Sequence, residues 1–403
     1  MVKPSIFIDK NSRNRLVRGN IDAQKFNFRD GNVQKYCFFL VICLSYCISY
    51  SNHAQQLAFG LELSNRIVNL DRPWGAAFLP DGRLIVSEME GTLKLFGKNY
   101  RLLDKLEKPL DLDQRRIARF DNSGAFDVAV DPNFDTNGFI YWSYAAKSEK
   151  NSFLKVSRIH VTGNKLVFDR EVFSATPAND DRFHFGGALI FDHQKNLLIA
   201  IGERFSSAKK QGQEPVAQNP ADSRGKIWSI KKPAKVSKSE SFEAIQVASG
   251  LRNVQAMEII SNNVWISDHG PILGDELNIL KPNANYGWPY LTTGNYKDKD
   301  YLPEKVSEDK FVAPVYSWQE FTMAPSGLLF YQNSRYRSLN NRLLVSGLSS
   351  GRLLSFTLNN GRVVDEQELI LGIRMRDIIA SPDGRIFILS DETQGRVIEL
   401  LVK

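Results

Sequence analysis

Apolar and polar residues alternate over short stretches through most of the chain, and turn-forming residues separate these stretches. The clearest unit is Trp74 to Phe96 (WGAAFLPDGRLIVSEMEGTLKLF): an apolar strand, a Pro-Asp-Gly turn, a second apolar strand ending in small or acidic residues, a Gly and a third strand. Arg376 to Leu400 repeats it with nearly the same spacing. Short strands rich in β-branched and aromatic residues, separated by Asp-Gly and Asn-Gly, predict hairpins.

Four weaker copies of this unit lie between the two clear ones. They begin near Ala125, Gly187, Gln255 and Ser326, which makes six units in all. Repeats of about 50 to 70 residues, each forming one small antiparallel sheet, are typical of a propeller. The pattern predicts an all-β fold, a six-bladed β-propeller of four-stranded antiparallel sheets, closed by a strand near Phe59 to Val68. A β-sandwich with fortuitous hairpins is the alternative fold.

The first 54 residues differ from the rest of the chain in charge and cysteine content. They contain 8 of the 52 Lys and Arg residues, 3 of the 45 Asp and Glu residues and all three cysteines. The remaining 44 basic and 42 acidic residues nearly balance, so nucleic-acid binding is not expected. We therefore divide the chain into residues 1–54, a basic N-terminal segment, and residues 55–403, a propeller domain without a disulfide or thiolate metal site.

The apolar stretch Cys37 to Tyr50 is too short for a typical spanning helix and follows basic residues. This is the pattern of a signal peptide, and it predicts export to the periplasm or the extracellular space. An uncleaved N-terminal anchor is the alternative, and it would be the protein's one contact with a membrane.

His184 stands before Gly186 and Gly187 at the start of a predicted strand, and Glu203 ends the next strand. An acidic residue there can hold one imidazole nitrogen and leave the other basic, which is the arrangement of a general base. The alternative is a histidine that caps a turn.

Three arginines lie in loops between predicted blade strands. If Arg252, Arg374 and Arg376 meet, they form a cradle for a small carboxylate-rich ligand, because arginine binds carboxylates in a bidentate manner. The alternative is that each arginine pairs with a local acid such as Asp377. The tight turn His269 to Pro271 can present backbone carbonyls to calcium, which prefers oxygen ligands.

Six phrases occur in a fixed order along the body of the chain: HFGGALIF, SGLRNVQAMEI, DHGPILGDELNIL, NYGWP, APSGLLFY and RMRDIIASPDGRIFIL. Together they resemble the signature of the soluble glucose/sorbosone and aldose sugar dehydrogenases, from about residue 60 to the C-terminus. The resemblance implies oxidation of aldose sugars at C1 to lactones by hydride transfer to pyrroloquinoline quinone (PQQ), with calcium, outside the cytoplasm. It leaves the sugar, the electron acceptor and the oligomeric state open.

The resemblance also implies individual roles. The residues implied in catalysis are His184 as the general base, Glu203 as its orienting partner, and Arg252. Those implied in PQQ binding are Arg252, Asn253, Gln255, Arg374 and Arg376. Those implied in calcium binding are Gly270 and Pro271, through their carbonyls, and Glu276 and the carbonyl of Tyr286 for a second, structural ion.

Two positions depart from the family pattern in ways that bear on the cofactor. Asn122 stands where the family often has Gln, and Ser349 stands where a Lys that helps bind PQQ is expected. Losing one charged hydrogen bond costs about 1.5 to 3 kcal/mol, so PQQ binding is expected to be weaker. Two other functions stay open: a non-catalytic propeller that binds carbohydrate or protein, and a calcium-dependent lactonase.

Overall fold

Short strands make up nearly all of the fold. The computed structural model describes residues 61–114, 122–205, 214–231, 241–296 and 307–402. The helical elements in these ranges are one turn, α1 (Phe134–Asn137), and a 3-10 turn at Glu308–Lys310. No helix in these ranges is long and apolar enough to cross a membrane. Residues 1–54 lie outside the described residues, so the division at residue 54 and the apolar stretch stay predictions.

Twenty-five strands are seen in the described ranges. In the first half they are β1 (Leu61–Leu70), β2 (Pro73–Phe78), β3 (Leu84–Glu88), β4 (Leu93–Phe96), β5 (Leu102–Leu106), β6 (Ala125–Val130), β7 (Phe139–Ser148), β8 (Asn151–Thr162), β9 (Lys165–Ser174), β10 (Gly186–Phe191), β11 (Leu197–Ile201), β12 (Lys226–Lys231) and β13 (Glu243–Ser249). In the second half they are β14 (Val254–Ile260), β15 (Asn263–Asp268), β16 (Asp275–Ile279), β17 (Ala284–Asn285), β18 (Tyr316–Trp318), β19 (Pro325–Tyr331), β20 (Arg342–Gly347), β21 (Arg352–Asn359), β22 (Arg362–Ile370), β23 (Met375–Ala380), β24 (Ile386–Ser390) and β25 (Gly395–Val402).

Successive strands form six antiparallel sheets, the blades. Blades 1, 2 and 5 are β2–β5, β6–β9 and β19–β22, and blade 4 is β14–β16 with β18. Blade 3 is β10–β13, and β17 adds a short parallel strand at its outer edge. Blade 6 combines β23–β25 with β1, with Leu63 opposite Leu400. The strand predicted to close the ring therefore does so.

The first strand of each blade lies at the centre of a closed ring. These inner strands are β2, β6, β10, β14, β19 and β23, and each contacts the next, with β23 also contacting β2. A sandwich would instead pack two sheets face to face. The ring confirms the six-bladed β-propeller and excludes the β-sandwich alternative.

The repeated Pro-Asp-Gly phrase forms the same turn in the first and last blades. The Gly82 N–H donates to the Leu79 carbonyl at 2.8 Å, and the Gly384 N–H donates to the Ser381 carbonyl at 2.9 Å. Both glycines have a positive φ, +85° and +81°, a conformation that side chains rarely adopt. This explains why both hairpins use glycine at this point.

Apolar side chains pack between neighbouring blades. Every residue of β3, β11 and β24, the second strands of three blades, is buried. Between blades 6 and 1, Ile67, Leu70, Val86 and Phe387 belong to one cluster. Fully burying each such side chain stabilises the fold by about 1.5 to 3 kcal/mol, so both ends of the propeller domain contribute to a shared core.

Three carboxylates line the central channel between the inner strands, and we call Asp127, Glu258 and Asp377 the channel acids. They lie on β6, β14 and β23, in alternate blades, around a cavity of about 410 Å³. Each accepts a backbone N–H from the inner strand of the next blade: Leu189 to Asp127 at 2.8 Å, Ala76 to Asp377 at 3.2 Å, and Phe330 to Glu258. The channel acids thus connect the blades in pairs.

Candidate active site

A cavity of about 740 Å³ opens at the end of the ring where the inner strands begin. The predicted site residues that line it are His184, Asn253, Gln255, Arg374 and Arg376. The loops of separate blades supply them, as in other propellers, where ligands bind at the axis. The structure therefore brings these five together in one cavity, whereas Arg252 lies just outside it.

His184 is held in place by its backbone and by a buried carboxylate. Its Nδ1 lies 2.6 Å from Oε1 of Glu203, whose side chain is 2% exposed. A Cβ at Gly202 would collide with the His184 carbonyl, so only glycine permits this approach. Phe205 contacts the imidazole edge-on at 5.0 Å between ring centroids. Since a carboxylate accepts hydrogen bonds, Nδ1 carries the proton and Nε2 is the basic nitrogen.

The electrostatic environment keeps His184 neutral. Burial, and then the charge of Arg252, lower its pKa to about 4, although Glu203 acts in the opposite direction. An imidazole with this pKa is unprotonated at neutral pH and can accept a proton.

Asp268 at the end of β15 fixes the backbone of the Arg-Asn pair. Its carboxylate accepts the N–H of Arg252 at 2.9 Å and that of Asn253 at 2.5 Å. Asn253 uses its own Oδ1 to accept the Gly186 N–H at 3.1 Å, which joins blades 3 and 4. Asn253 therefore has a structural role that the sequence did not indicate, and its Nδ2 is the group left to face a ligand.

Arg252 is buried without a carboxylate partner in the described part of the chain. Its Nη1 donates to the carbonyl of His269 at 3.0 Å, and its guanidinium lies 5.3 Å from the ring centre of Trp288. Its Nε has no hydrogen-bond partner there. Burial lowers the pKa of Arg252. The charges of Glu203, Asp268 and Asp275 offset part of this effect without a direct ion pair. A buried guanidinium with an unpartnered Nε favours an anionic ligand.

Arg374 and Arg376 share one carboxylate, which is not the one expected. Oδ2 of Asp391 accepts from Arg374 Nε at 2.5 Å and from Arg376 Nη2 at 3.0 Å. Arg376 also lies 3.7 Å from the ring centre of Trp74. Burial would raise the pKa of Asp391, but the two arginines outweigh it and lower the pKa below its usual value. Asp377 is instead a channel acid.

The predicted calcium residues lie beside Arg252. Gly270, Glu276 and Tyr286 line a second, small cavity of about 20 Å³, whereas Pro271 does not line it. Asp275 accepts the Gly270 N–H at 2.9 Å and thereby fixes the turn. Neither the Gly270 nor the Pro271 carbonyl accepts a hydrogen bond from another described residue. Burial raises the pKa of Glu276 to about 7.

Four further residues of the large cavity were missed in the sequence: Arg72, Trp74, Phe205 and Asp391. For two of these residues the sequence contains a pattern that could have identified them. Aligning the first and last repeat units places Trp74 opposite Arg376, and Asp391 follows a second strand, where acidic residues recur. Both departures from the family pattern, Asn122 and Ser349, also line this cavity.

Comparison with known proteins finds glucose and aldose sugar dehydrogenases among the relatives of this chain. A sequence model described as glucose/sorbosone dehydrogenase matches residues 70–399. The aldose sugar dehydrogenase of Escherichia coli (strain K12) is 28% identical over 386 residues, covering 91% of this chain and 99% of the relative. Quinoprotein glucose dehydrogenase B of Acinetobacter calcoaceticus is 23% identical over 355 residues, covering 68% and 74%. The crystal structure of the soluble E. coli aldose sugar dehydrogenase in its apo form is 27% identical, with a TM-score of 0.72 over 85% of this chain and 100% of that chain.

Proposed function

The chain belongs to the glucose/sorbosone dehydrogenase family, and on this basis we propose that it oxidises aldose sugars at C1 to lactones, using PQQ and calcium. One observation carries the proposal: a single cavity joins the neutral imidazole of His184 to the cations of Arg374 and Arg376. The family supports a sugar as substrate, and the Acinetobacter relative is named a quinoprotein.

The residues of the cavity fit an anionic, planar cofactor. The cavity volume of about 740 Å³ is within the usual range for small-molecule sites. The buried Nε atoms of Arg252 and Arg376 have no partner among the described residues, and carboxylates are the groups that guanidinium binds best. Arg252, Asn253, Gln255, Arg374 and Arg376 would hold PQQ.

When bound, PQQ supplies a quinone that accepts the hydride from C1 of the sugar. The protein's part in this step is to take the proton. His184 Nε2 accepts it from the C1 hydroxyl, while Nδ1–H remains hydrogen-bonded to Glu203. The charge that develops on His184 is then stabilised by Glu203. Arg376 on the cavity wall and Arg252 just outside the cavity would stabilise the developing negative charge.

Calcium would be held at the turn after β15. Backbone carbonyls are ligands that calcium accepts, and those of Gly270 and Pro271 are available. Glu276 and the Tyr286 carbonyl are proposed for a second, structural ion.

We also propose that the protein is exported from the cytoplasm. The apolar stretch Cys37 to Tyr50 supports a signal peptide, with an uncleaved anchor as the alternative. N-terminal sequencing of the protein expressed with its full N-terminus separates the two, because only cleavage gives a new start near residue 55.

The function is tested by titrating the purified protein with PQQ, with and without calcium, and then adding glucose or another aldose. We expect saturable, calcium-dependent binding and bleaching of the quinone absorbance by the sugar. A non-catalytic propeller, which the Asn122 and Ser349 departures favour, predicts no saturable binding. Binding without reduction by any aldose would contradict the proposed substrate class.

A further inference from the structure

Arg72 lines the cavity that contains His184, although no motif includes it. It lies in the turn between β1 and β2, and only its backbone is engaged: its N–H donates to the Glu392 carbonyl at 3.1 Å, and its carbonyl accepts the Met89 N–H at 3.0 Å. Its guanidinium makes no hydrogen bond or ion pair with any residue that the structure describes. A half-buried cation therefore borders the cavity, and no described residue pairs with it.

The contacts give the position of Arg72 along the cavity wall. Arg374 donates to the carbonyl of Leu348 at 2.9 Å on one side and to Asp391 at 2.5 Å on the other. Ser349 follows the first of these contacts, and the residue after Asp391 holds the backbone of Arg72. Ser349, Arg374 and Arg72 lie at the ends of strands in blades 5, 6 and 1, so Arg374 lies between the other two around the ring.

Arg72 differs from Arg374 and Arg376, the other two arginines of the cavity, because no described carboxylate pairs with it. Asp391 offsets part of the charge of Arg374 and Arg376, and Glu392 pairs with Arg396 at 3.2 Å. His184 is neutral because burial and Arg252 lower its pKa to about 4. Arg72 is left as a cavity cation that no described carboxylate neutralises.

The backbone of Arg72 is strained, with φ at +49°. Side chains rarely adopt this left-handed conformation, for which glycine and asparagine are the usual residues. Strained residues of this kind concentrate at functional sites. The arginine is thus present where the backbone alone would favour a smaller residue.

We propose that Arg72 binds a carboxylate group of PQQ and supplies the positive charge that Ser349 does not. The inference rests on the proposed function, since it names a further residue of the same cofactor site. Arg72 would hold this carboxylate from the blade 1 side of the cavity, and Arg374 is the neighbouring cation on the cavity wall.

The test is calorimetric titration of the calcium-loaded protein with PQQ. We expect R72M to weaken binding about tenfold to hundredfold, the loss of one charged hydrogen bond. R72K should retain part of the affinity, because it keeps the positive charge. R362M is the matched control, because Arg362 is exposed on the outer strand β22, and it should bind like the wild type.

R72G separates binding from structure. Glycine relieves the strained backbone and keeps both backbone hydrogen bonds, so the unfolding midpoint should stay the same or rise while PQQ affinity falls. Affinity that follows stability across the variants would overturn the inference, as would wild-type affinity in R72M or R72G. A wild type that binds no PQQ would instead refute the proposed function, so the two failures are distinguishable.

Discussion

His184 shows how burial and charge set the properties of a single residue. Its neutral form is favoured by burial and by the charge of Arg252, whereas Glu203 favours the protonated form. The first two effects are larger, so the imidazole is a base at neutral pH. The 2.6 Å contact with Glu203 orients the ring. The same carboxylate therefore positions the base and limits how far its pKa falls.

A pH profile tests this balance. We expect kcat/KM of the PQQ-loaded protein to fall as the pH is lowered through about 4, because a protonated imidazole cannot accept a proton. E203Q should lower kcat by about tenfold to hundredfold and shift this fall to lower pH, because the charge that raises the His184 pKa is gone. E308Q, at an exposed glutamate, should change neither. A shift to higher pH in E203Q would contradict the assignment.

Asp391 is expected to contribute to stability as well as to the site. D391N leaves Arg376, which is 6% exposed, without its countercharge, and should lower the free energy of unfolding by about 1 to 3 kcal/mol. D383N is the control: Asp383 is exposed and pairs with Arg385, so its effect should be under about 1 kcal/mol. Urea denaturation of both variants measures the difference. Equal effects would show that the shared ion pair adds nothing.

The sequence revealed some residues of the site and not others for a physical reason. His184 and Arg252 could be identified because they interrupt a strand repeat with side chains that a sheet does not need. Arg72 could not, because it belongs to an ordinary turn, and its role depends on which blade precedes it around the ring. Asp391 could be seen as an acidic strand end, but its arginine partners could not. Asn253 was identified with a ligand role only, because its bond to Gly186 crosses between blades.

At the scale of elements, the ends of the second strands share a function. Glu88, Glu203, Asp268 and Asp391 end or follow β3, β11, β15 and β24. Each binds residues that precede an inner strand: Glu88 accepts the Asp71 N–H, and the other three hold His184, the Arg252 backbone and the arginine pair. The repeat therefore places an acidic residue behind the cavity in four blades. The acidic strand ends were visible in the sequence, but their partners required the structure.

The channel acids connect inner strands, and their protonation should affect stability. Burial raises the pKa of Glu258 to about 8, above that of an unfolded glutamate. The folded state therefore binds the proton more tightly, and its stability is full at low pH and falls as the pH rises toward 8. E258Q cannot ionise and should be more stable than the wild type at pH 9 by about 1 to 2 kcal/mol, a reduced figure because the carboxyl is partly exposed to the channel.

Chemical denaturation at pH 5 and pH 9 measures this effect. The difference between the two proteins should be much smaller at pH 5, which is only just above the pKa of an unfolded glutamate, than at pH 9, which is above the raised pKa of the folded state. E243Q is the control, since Glu243 is exposed at the start of β13. A wild type whose stability does not fall between the two pH values would contradict the raised pKa of Glu258.

At the scale of the whole molecule, the repeat accounts for most of what could be predicted. Six copies of one strand-turn-strand unit fix the number of blades, because each unit can bury its apolar faces only against neighbours. The extra strand β17 could not be foreseen, since its two residues pair with β13 only after the loop between β16 and β18 returns to blade 3. In the turn proposed for calcium, Gly270 and Glu276 line one cavity that Pro271 does not line, a separation that the sequence did not indicate.

Ring closure by β1 gives the last prediction. Ile67 is 6% exposed and opposite Val397, whereas the next residue, Val68, is 51% exposed. I67D places an unpaired carboxylate in the core shared by blades 6 and 1 and should cost about 3 kcal/mol or more, whereas V68D should stay within about 0.5 kcal/mol. Because Arg72 is the second residue after β1, I67D should also weaken PQQ binding at temperatures where the protein is still folded. Thermal unfolding and PQQ titration of the two variants measure both effects, and equal behaviour would mean that β1 does not hold the ring or the cavity together.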